Sequence, residues 1–426
     1  MAGRIRRPAR PEAVRDQGRA VIFSARVGAG HDAAADEIAR RLAGAGLTVE
    51  RHDFLDQMPG MAGRIICDSY HNMLLAAPWS YRMLYGALDR SRGLSLQVTC
   101  FSALSTRRML EAIGPDARVV VSTYPLASQV LGRMRSGGRL RVPVVTYLTD
   151  YSVHRLWVAE GVDGHTAVHD VAAGQARALG AAQVVTVDPA VDPRFTRRTE
   201  ASRTGARAKF GLPAEGRLAL LVGGSWGIGE FDESVRDVSA TGVARCVVVC
   251  GQNEDLRKRL IEQGVEHVFG WVDDMPGLMH ACDVMIQNAG GMTVYEARAC
   301  GLPVITYRTL PGHGQTNAEA LDEAGTARWV RDAADLRVAL EKALLETSWD
   351  ELPEFAADPV TVILGMAPKS ASDGVVRVPK QRDRKNRRWE RRLRGVRFGA
   401  SASDGDEYES DGDEYDEYDS RTRGAA

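Results

Sequence analysis

Gln287-Asn288-Ala289-Gly290-Gly291-Met292-Thr293-Val294-Tyr295-Glu296-Ala297, followed by Cys300-Gly301-Leu302-Pro303-Val304-Ile305, is the most informative stretch of the chain. The apolar run before it, Asp283-Val284-Met285-Ile286, reads as a buried strand. The paired glycines read as a turn, and the residues after them as the start of a helix. Asn288, Gly290, Gly291 and Thr293 then lie where backbone N–H groups and the positive end of a helix dipole converge, a setting that suits a phosphate. Glu296, about one turn into the helix, is placed to accept hydrogen bonds from two adjacent ribose hydroxyls. A diphosphate beside a ribose is a nucleotide-sugar site, which points to a glycosyltransferase.

The same strand–turn–helix rhythm extends in both directions. Ala20-Val21-Ile22-Phe23-Ser24 is a strand, Gly28-Ala29-Gly30-His31 a tight turn, Asp32 to Arg41 a helix, and Leu47-Thr48-Val49-Glu50 a second strand. This is a βαβ unit and implies a parallel sheet. Strands recur at Arg118–Ser122 and Val142–Asp150. A second series starts at Leu218 and continues through Cys246–Cys250, Val268–Gly270, Asp283–Ile286 and Val304–Thr306. The expected fold class is α/β, with two doubly wound Rossmann-like domains facing across a cleft, because such sheets bind ligands at the carboxyl ends of their strands. The expected organisation begins with a polar arm over 1–18, an acceptor domain over 19–193 and a hinge region over 194–209. A nucleotide-sugar domain follows over 210–335, then terminal helices over 336–376 packing back toward the first domain, and a charged tail over 377–426.

At 426 residues the chain is long enough for two full cores. Its net charge of −1 conceals an asymmetry. Residues 377–397 hold eleven Lys or Arg against two acids, with Trp389, Leu393, Val396 and Phe398 interleaved at roughly helical spacing. Ser403-Asp404-Gly405-Asp406-Glu407-Tyr408 then recurs as Ser410-Asp411-Gly412-Asp413-Glu414-Tyr415. The acidic repeat is too poor in apolar surface to fold and is expected to be disordered. The basic tract 377–398 is either a helix for anionic lipid or a solvated arm, and no nucleic-acid partner is expected. The six cysteines have no metal-ligand spacing and fit a reducing cytoplasm. No apolar run approaches the ~18 residues that span a bilayer, so any membrane contact is peripheral, at the inner face of the plasma membrane.

Several short motifs supply candidate chemistry. In Gly28-Ala29-Gly30-His31, Ala33 stands where a dinucleotide fingerprint would carry its third glycine, so that reading fails. A His at the mouth of a parallel-sheet crevice is instead suited to act as a general base, and Asp150 in Thr149-Asp150-Tyr151-Ser152 is the alternative base or the group that orients His31. Gly223, Gly224 and Ser225 follow a strong strand and let backbone approach a ligand closely. Gly251 and Gln252 follow the next strand and are assigned to the base or ribose. His313, Gln315 and Asn317, in the loop Pro311–Asn317, carry the imidazole and amide groups suited to sugar hydroxyls. A metal site on His154, His165 and His169 lacks matching carboxylate or thiolate ligands, and no metal or cofactor is expected. The Met- and aromatic-rich stretch 60–110 is either helical core or an acceptor groove and membrane-dipping surface.

Taken together, Ser24 to His31, Leu148-Thr149-Asp150, Gly223-Gly224-Ser225, Gly251-Gln252-Asn253, Gly270-Trp271-Val272-Asp273-Asp274-Met275 and Asn288–Pro303 resemble glycosyltransferase family 28. The nearest branch is that of the monogalactosyldiacylglycerol synthase-like enzymes, related to the N-acetylglucosaminyltransferase that completes lipid II. The resemblance runs over about residues 19–335 and is most specific at 283–317. It implies a GT-B fold and metal-independent, inverting transfer from a UDP-sugar held by the second domain to a lipid acceptor such as diacylglycerol. It also implies roles for His31 as the loop histidine, Glu296 as the ribose ligand and Asn317 as a donor-loop residue. Ala29 interrupts the glycines that family members carry before the histidine, and His313 replaces a common glutamine, which leaves the donor sugar open. The residues also admit transfer to a soluble aglycone, a UDP-sugar 2-epimerase, and a non-catalytic nucleotide-sugar sensor.

Overall fold

Leucine- and β-branched-rich runs buried on both faces build two six-stranded parallel sheets, the burial pattern expected where helices cover each side. The computed structural model describes residues 18–76, 78–345 and 357–367, which all fall within one compact unit. The polar arm before Gly18 and the charged tail lie outside the described residues. The first sheet comprises β1 (Arg19–Ser24), β2 (Thr48–Asp53), β3 (Ala117–Ser122), β4 (Val144–Leu148), β5 (Gly164–Ala167) and β6 (Val184–Thr186), in the order β2-β1-β3-β4-β5-β6. The second comprises β7 (Leu218–Val222), β8 (Arg245–Val249), β9 (His267–Phe269), β10 (Val284–Gln287), β11 (Val304–Tyr307) and β12 (Arg328–Val330), in the order β12-β11-β10-β7-β8-β9. Strand order therefore reverses between β1 and β3 in one sheet and between β7 and β10 in the other. Crevices open outside the carboxyl ends of strands at such reversals. Every loop assigned above to chemistry follows one of those four strands or its neighbours.

Three elements differ from expectation. β5, β6 and β12 escape the sequence pattern because each has only three or four residues and little apolar alternation. The stretch 194–209 is not linker throughout. Glu200–Lys209 is a helix with a Thr199–Ser202 capping box, packed on the helix Met275–Ala281 of the second domain. The terminal helices also divide. Ala333–Leu345 buries Leu336, Ala339 and Leu340 in the core of the second domain, whereas Pro359–Met366 crosses back to the helix Ala29–Gly44, β3 and β5 of the first.

What anchors the helix Glu200–Lys209 is Arg207, only 1% exposed. Its guanidinium bonds Asp283 Oδ2 at 2.8 Å and donates to the carbonyls of Ala281, Pro213, Ala214 and Gly216. Asp283 in turn accepts from the Leu218 N–H at 2.8 Å, so the pair joins the starts of β7 and β10. Every donor on the buried cation is matched, which is the condition under which a buried ion pair is tolerated. Arg207→Leu would leave a buried carboxylate and four carbonyls without this partner. Arg198, Arg203 and Arg217 stand 3.3–3.9 Å from Asp283 and soften the loss. The expected destabilisation is about 3 kcal/mol, at the low end for a broken buried pair. Urea unfolding followed by tryptophan fluorescence measures it.

Candidate functional site

The helix Ala29–Gly44 begins three residues earlier than its apolar pattern suggests, which puts Gly30 and His31 in its first turn rather than in the preceding loop. Gly28 is its N-cap and supplies no side-chain acceptor. Asp32 is tied to Ser24 Oγ at 2.6 Å and to Arg51 at 3.1 Å, so the helix start is pinned to the end of β1. His31 is half-buried, and its Nδ1 lies 2.8 Å from the carbonyl oxygen of Thr123, just beyond β3. A carbonyl can only accept, so Nδ1 carries the proton, and Thr149 Oγ1 at 3.0 Å shares it. The neutral ring therefore keeps its lone pair on Nε2, the arrangement a general base needs.

Asp150 stands close by but is used differently. Its Oδ2 accepts from Trp157 Nε1 at 3.0 Å, and the Trp157 ring is 6.0 Å from the ring of His31. His313, from the second domain, lies nearby. Burial lowers its pKa most, Asp150 opposes the shift and His31 adds to it, so the His313 ring is neutral at neutral pH. His313 Nδ1 is buried without a hydrogen-bond partner among the described residues. Its ring packs edge-on against Tyr81 at 5.4 Å.

The donor turn is organised by a residue that sequence reasoning left unassigned. Gln287 closes β10, its amide nitrogen bonds Thr306 Oγ1 at 2.6 Å, and its carbonyl oxygen accepts from the N–H groups of both Ala289 and Gly290. Those two amides are thus taken by the protein. What remains for an anion is the start of the helix Met292–Ala299, whose N-cap Gly291 (φ +89°) offers no side-chain acceptor to the first amides. Thr293 lies in that first turn. Gly30 faces this helix end across the cleft, where an added Cβ would stand 3.5 Å from Met292 Cγ. Two helix N-termini, one carrying His31, therefore meet at one place.

The glycine loops serve mainly to let backbones touch. A Cβ on Gly223 would strike Phe231, and one on Gly251 (φ +57°) would strike the Ser225 carbonyl, whose oxygen already accepts from the Gln252 N–H at 2.8 Å. Gly224 (φ +70°) faces open space. Asn288 Nδ2 donates to the Ile228 carbonyl at 2.7 Å, while its Oδ1 is buried and unpartnered. Gln252 and Gln315 are exposed. Asn317 is 1% exposed and its carboxamide is engaged, with Oδ1 accepting from Ser152 N and Oγ and Nδ2 donating to the Ala289 carbonyl. It spans the two domains rather than offering both ends of its amide to a sugar.

Glu296 makes no ion pair among the described residues. Burial, with the Asp192 carboxylate adding to it, pushes its carboxyl up to about 7. His154 and His169 cap local turns by accepting backbone N–H groups through Nδ1, and His165 is buried in β5. The described residues contain no group of three or more His, Cys, Asp or Glu arranged to hold a metal ion.

The 60–110 segment is neither plain core nor a simple groove wall. Its helices Ala62–Ala76 and Pro78–Arg90 turn Tyr70, Leu74 and Tyr81 toward Trp226, Ile228 and Leu310 of the second domain. The His71 and Trp226 rings meet edge-on at 4.6 Å. The opposite side is apolar and bare. Met61, Ile65, Leu75, Trp79, Met83, Leu84, Leu96, Phe101 and Leu104 make up nine of the thirteen exposed large hydrophobic residues among those described.

Residues 31–184 match the family model described as monogalactosyldiacylglycerol (MGDG) synthase, and residues 218–358 match the glycosyltransferase family 28 C-terminal domain. The chain is 27% identical over 274 residues to a processive diacylglycerol beta-glucosyltransferase of Bacillus mycoides, covering 62% of this chain and 69% of that protein. Its fold is similar to that of MurG from Acinetobacter baumannii, with a TM-score of 0.51 at 15% identity over 82% of this chain and 99% of the other. Sucrose-phosphate synthase from Thermosynechococcus elongatus gives a TM-score of 0.51 at 14% identity, over 78% and 91% of the two chains.

For the UDP-sugar expected from the sequence, whose diphosphate does not titrate near neutrality, the raised Glu296 pKa sets a pH dependence. Below about 7 the carboxyl is protonated, and above about 7 it is the charged acceptor that the expected bonds from two ribose hydroxyls require. Affinity for UDP-glucose should rise about tenfold from pH 6 to pH 8, as the ionised fraction does. Glu296→Gln should flatten the profile. Calorimetric titration across that range reads both.

Proposed function

The chain belongs to glycosyltransferase family 28, in its monogalactosyldiacylglycerol synthase-like branch, and we propose that it transfers a hexose or N-acetylhexosamine from a UDP-sugar to a membrane lipid such as diacylglycerol, with inversion at the anomeric carbon. The observation that carries this reading is His31, with Nδ1 on the Thr123 carbonyl and Nε2 unengaged, set beside the start of the helix Met292–Ala299. In the proposed step, Nε2 takes the proton of the acceptor hydroxyl as its oxygen forms the new bond to the anomeric carbon. The bond from that carbon to the UDP oxygen breaks, and UDP leaves with the electron pair. Charge building on the diphosphate is met by the helix N-terminus, a preorganised dipole that commonly contributes a few kcal/mol. Asp150 Oδ2 is occupied by Trp157 Nε1, which favours His31 over Asp150 as the base.

The diacylglycerol acceptor is supported by the name of the Bacillus mycoides relative and by the bare apolar face between Met61 and Leu104. No helix among the described residues is long and apolar enough to cross a membrane. A lipid acceptor would therefore be met from the surface, and the unpaired state of all six cysteines fits the cytoplasmic side.

The test is UDP release from UDP-galactose, UDP-glucose and UDP-N-acetylglucosamine, each with and without diacylglycerol in mixed micelles. Lipid-dependent release is expected with at least one donor. His31→Ala should reduce it by about 10²- to 10⁴-fold, the usual span for general-base loss, and Glu296→Ala should weaken donor binding. No release under any pairing, with donor binding intact, moves the assignment to a soluble acceptor or a sensor.

A further inference from the structure

Thr149-Asp150-Tyr151-Ser152 follows β4, and each of its four side chains is committed to a contact at or around the cleft. Thr149 Oγ1 lies 3.0 Å from His31 Nδ1. Asp150 is held by Trp157 and acts electrostatically on His313 of the second domain. Tyr151 stacks on Tyr295 of the donor helix, ring centroids 4.5 Å apart and planes within 12°. Ser152 reaches Asn317 twice, through its backbone N–H at 2.9 Å and its Oγ at 2.8 Å, and Ser152 Oγ also lies 2.9 Å from Thr316 Oγ1. Asn317 Nδ2 then donates to the carbonyl of Ala289 in the donor turn, 3.2 Å away. Gly290 of that turn sits so close that a Cβ there would stand 2.9 Å from Asn317 Cβ.

One end of this tetrapeptide therefore orients the histidine that takes the acceptor proton, and the other grips the turn that holds the donor. We propose that Ser152 is a positioning residue for glycosyl transfer: with Asn317 it forms a latch that sets the distance between the His31 loop and the donor turn, and it acts without touching either substrate. The inference rests on the transferase reading above. Its physical basis is that both latch residues are almost fully buried, Ser152 at 6% and Asn317 at 1% exposed, where an unmade hydrogen bond is costly. The two domains thus have a preferred closed register instead of a loose hinge. Both of the Asn317 Oδ1 lone pairs are taken by Ser152, so the contact sets an angle as well as a distance.

Removing the Ser152 hydroxyl leaves its backbone N–H on Asn317, so the chain should still fold while the register loosens. In the full-length protein with UDP-glucose and dioleoylglycerol in mixed micelles, Ser152→Ala should lower kcat by on the order of 10-fold, the scale of a sub-ångström misplacement of reacting groups. The dissociation constant for UDP, whose ground-state contacts are assigned mainly to the second domain, should stay within about twofold. Asn317→Ala should lower kcat further, and the double variant should be no worse than Asn317→Ala, because the two residues act as one unit. Unchanged kcat in Ser152→Ala, or a parallel loss of UDP affinity and melting temperature, would overturn the latch. Hydrogen exchange provides a readout that does not need turnover. Amides 149–153 and 313–318 should lose protection together in Ser152→Ala, and unchanged protection at 313–318 would also refute the proposal. If the wild type releases no UDP with any donor, the transferase reading fails, and the exchange result still decides whether the latch exists.

Discussion

Two helix N-termini face one another across the cleft, and most of the site follows from that arrangement. Each carries about half an elementary positive charge, so without an anion between them their approach is mildly unfavourable. The close approach of Gly30 to the Met292 side chain, the Tyr151–Tyr295 stack and the Ser152–Asn317 bonds hold them in place. The molecule thus keeps a site for concentrated negative charge already assembled. This is the form of stabilisation that favours the extra negative charge of a departing diphosphate over the less charged ground state.

The surrounding side chains make sense as the means of keeping that site ordered. Gln287 absorbs the two amides of the donor turn that would otherwise compete for the ligand, so the anion meets the helix start rather than the turn. Gly251 lets its loop pack against the backbone of Gly224 and Ser225, and Gly223 makes room for the Phe231 ring. Asp283 and Arg207 do the equivalent at the far edge of the same sheet, joining the starts of β7 and β10. The reactive ends of those strands are thus set by contacts at both of their termini.

The helices between residues 62 and 90 give the cleft two distinct faces. Tyr70, Tyr81 and Leu74 bury against the second domain, while Trp79, Met83 and Ile65 remain bare. Such a concentration of exposed large apolar residues in one segment is a common mark of a place of contact. Its position beside the His31 side of the cleft suits an acceptor whose reactive hydroxyl sits at the end of a long apolar body.

Much of this was legible in the chain. Strand–glycine–helix punctuation around residues 20–31 and 283–297 identified two parallel-sheet domains, because the periods of strands and helices are local properties. His31, Glu296 and the glycines of the donor turn were identifiable for the same reason, since each sits at a fixed offset from a strand end. What the tertiary structure alone decided is which partner each polar group takes. Asn317 and Gln315 stand two residues apart in the helix His313–Glu323, which the sequence reads as a loop, yet one is buried between domains and the other faces solvent. The helix Glu200–Lys209 reads in sequence as part of a hinge region because its polar residues conceal Arg207, whose partner Asp283 lies 76 residues away. Hydrogen-bond satisfaction of buried groups is settled by residues distant in sequence, and no local pattern encodes it. The sequence by itself determined the two domains and the strand ends around which the candidate site is built. The folded chain determined what Thr149 to Ser152 connect, because only packing brings His31 to Thr149, Asn317 to Ser152 and Ala289 to Asn317 within hydrogen-bonding reach.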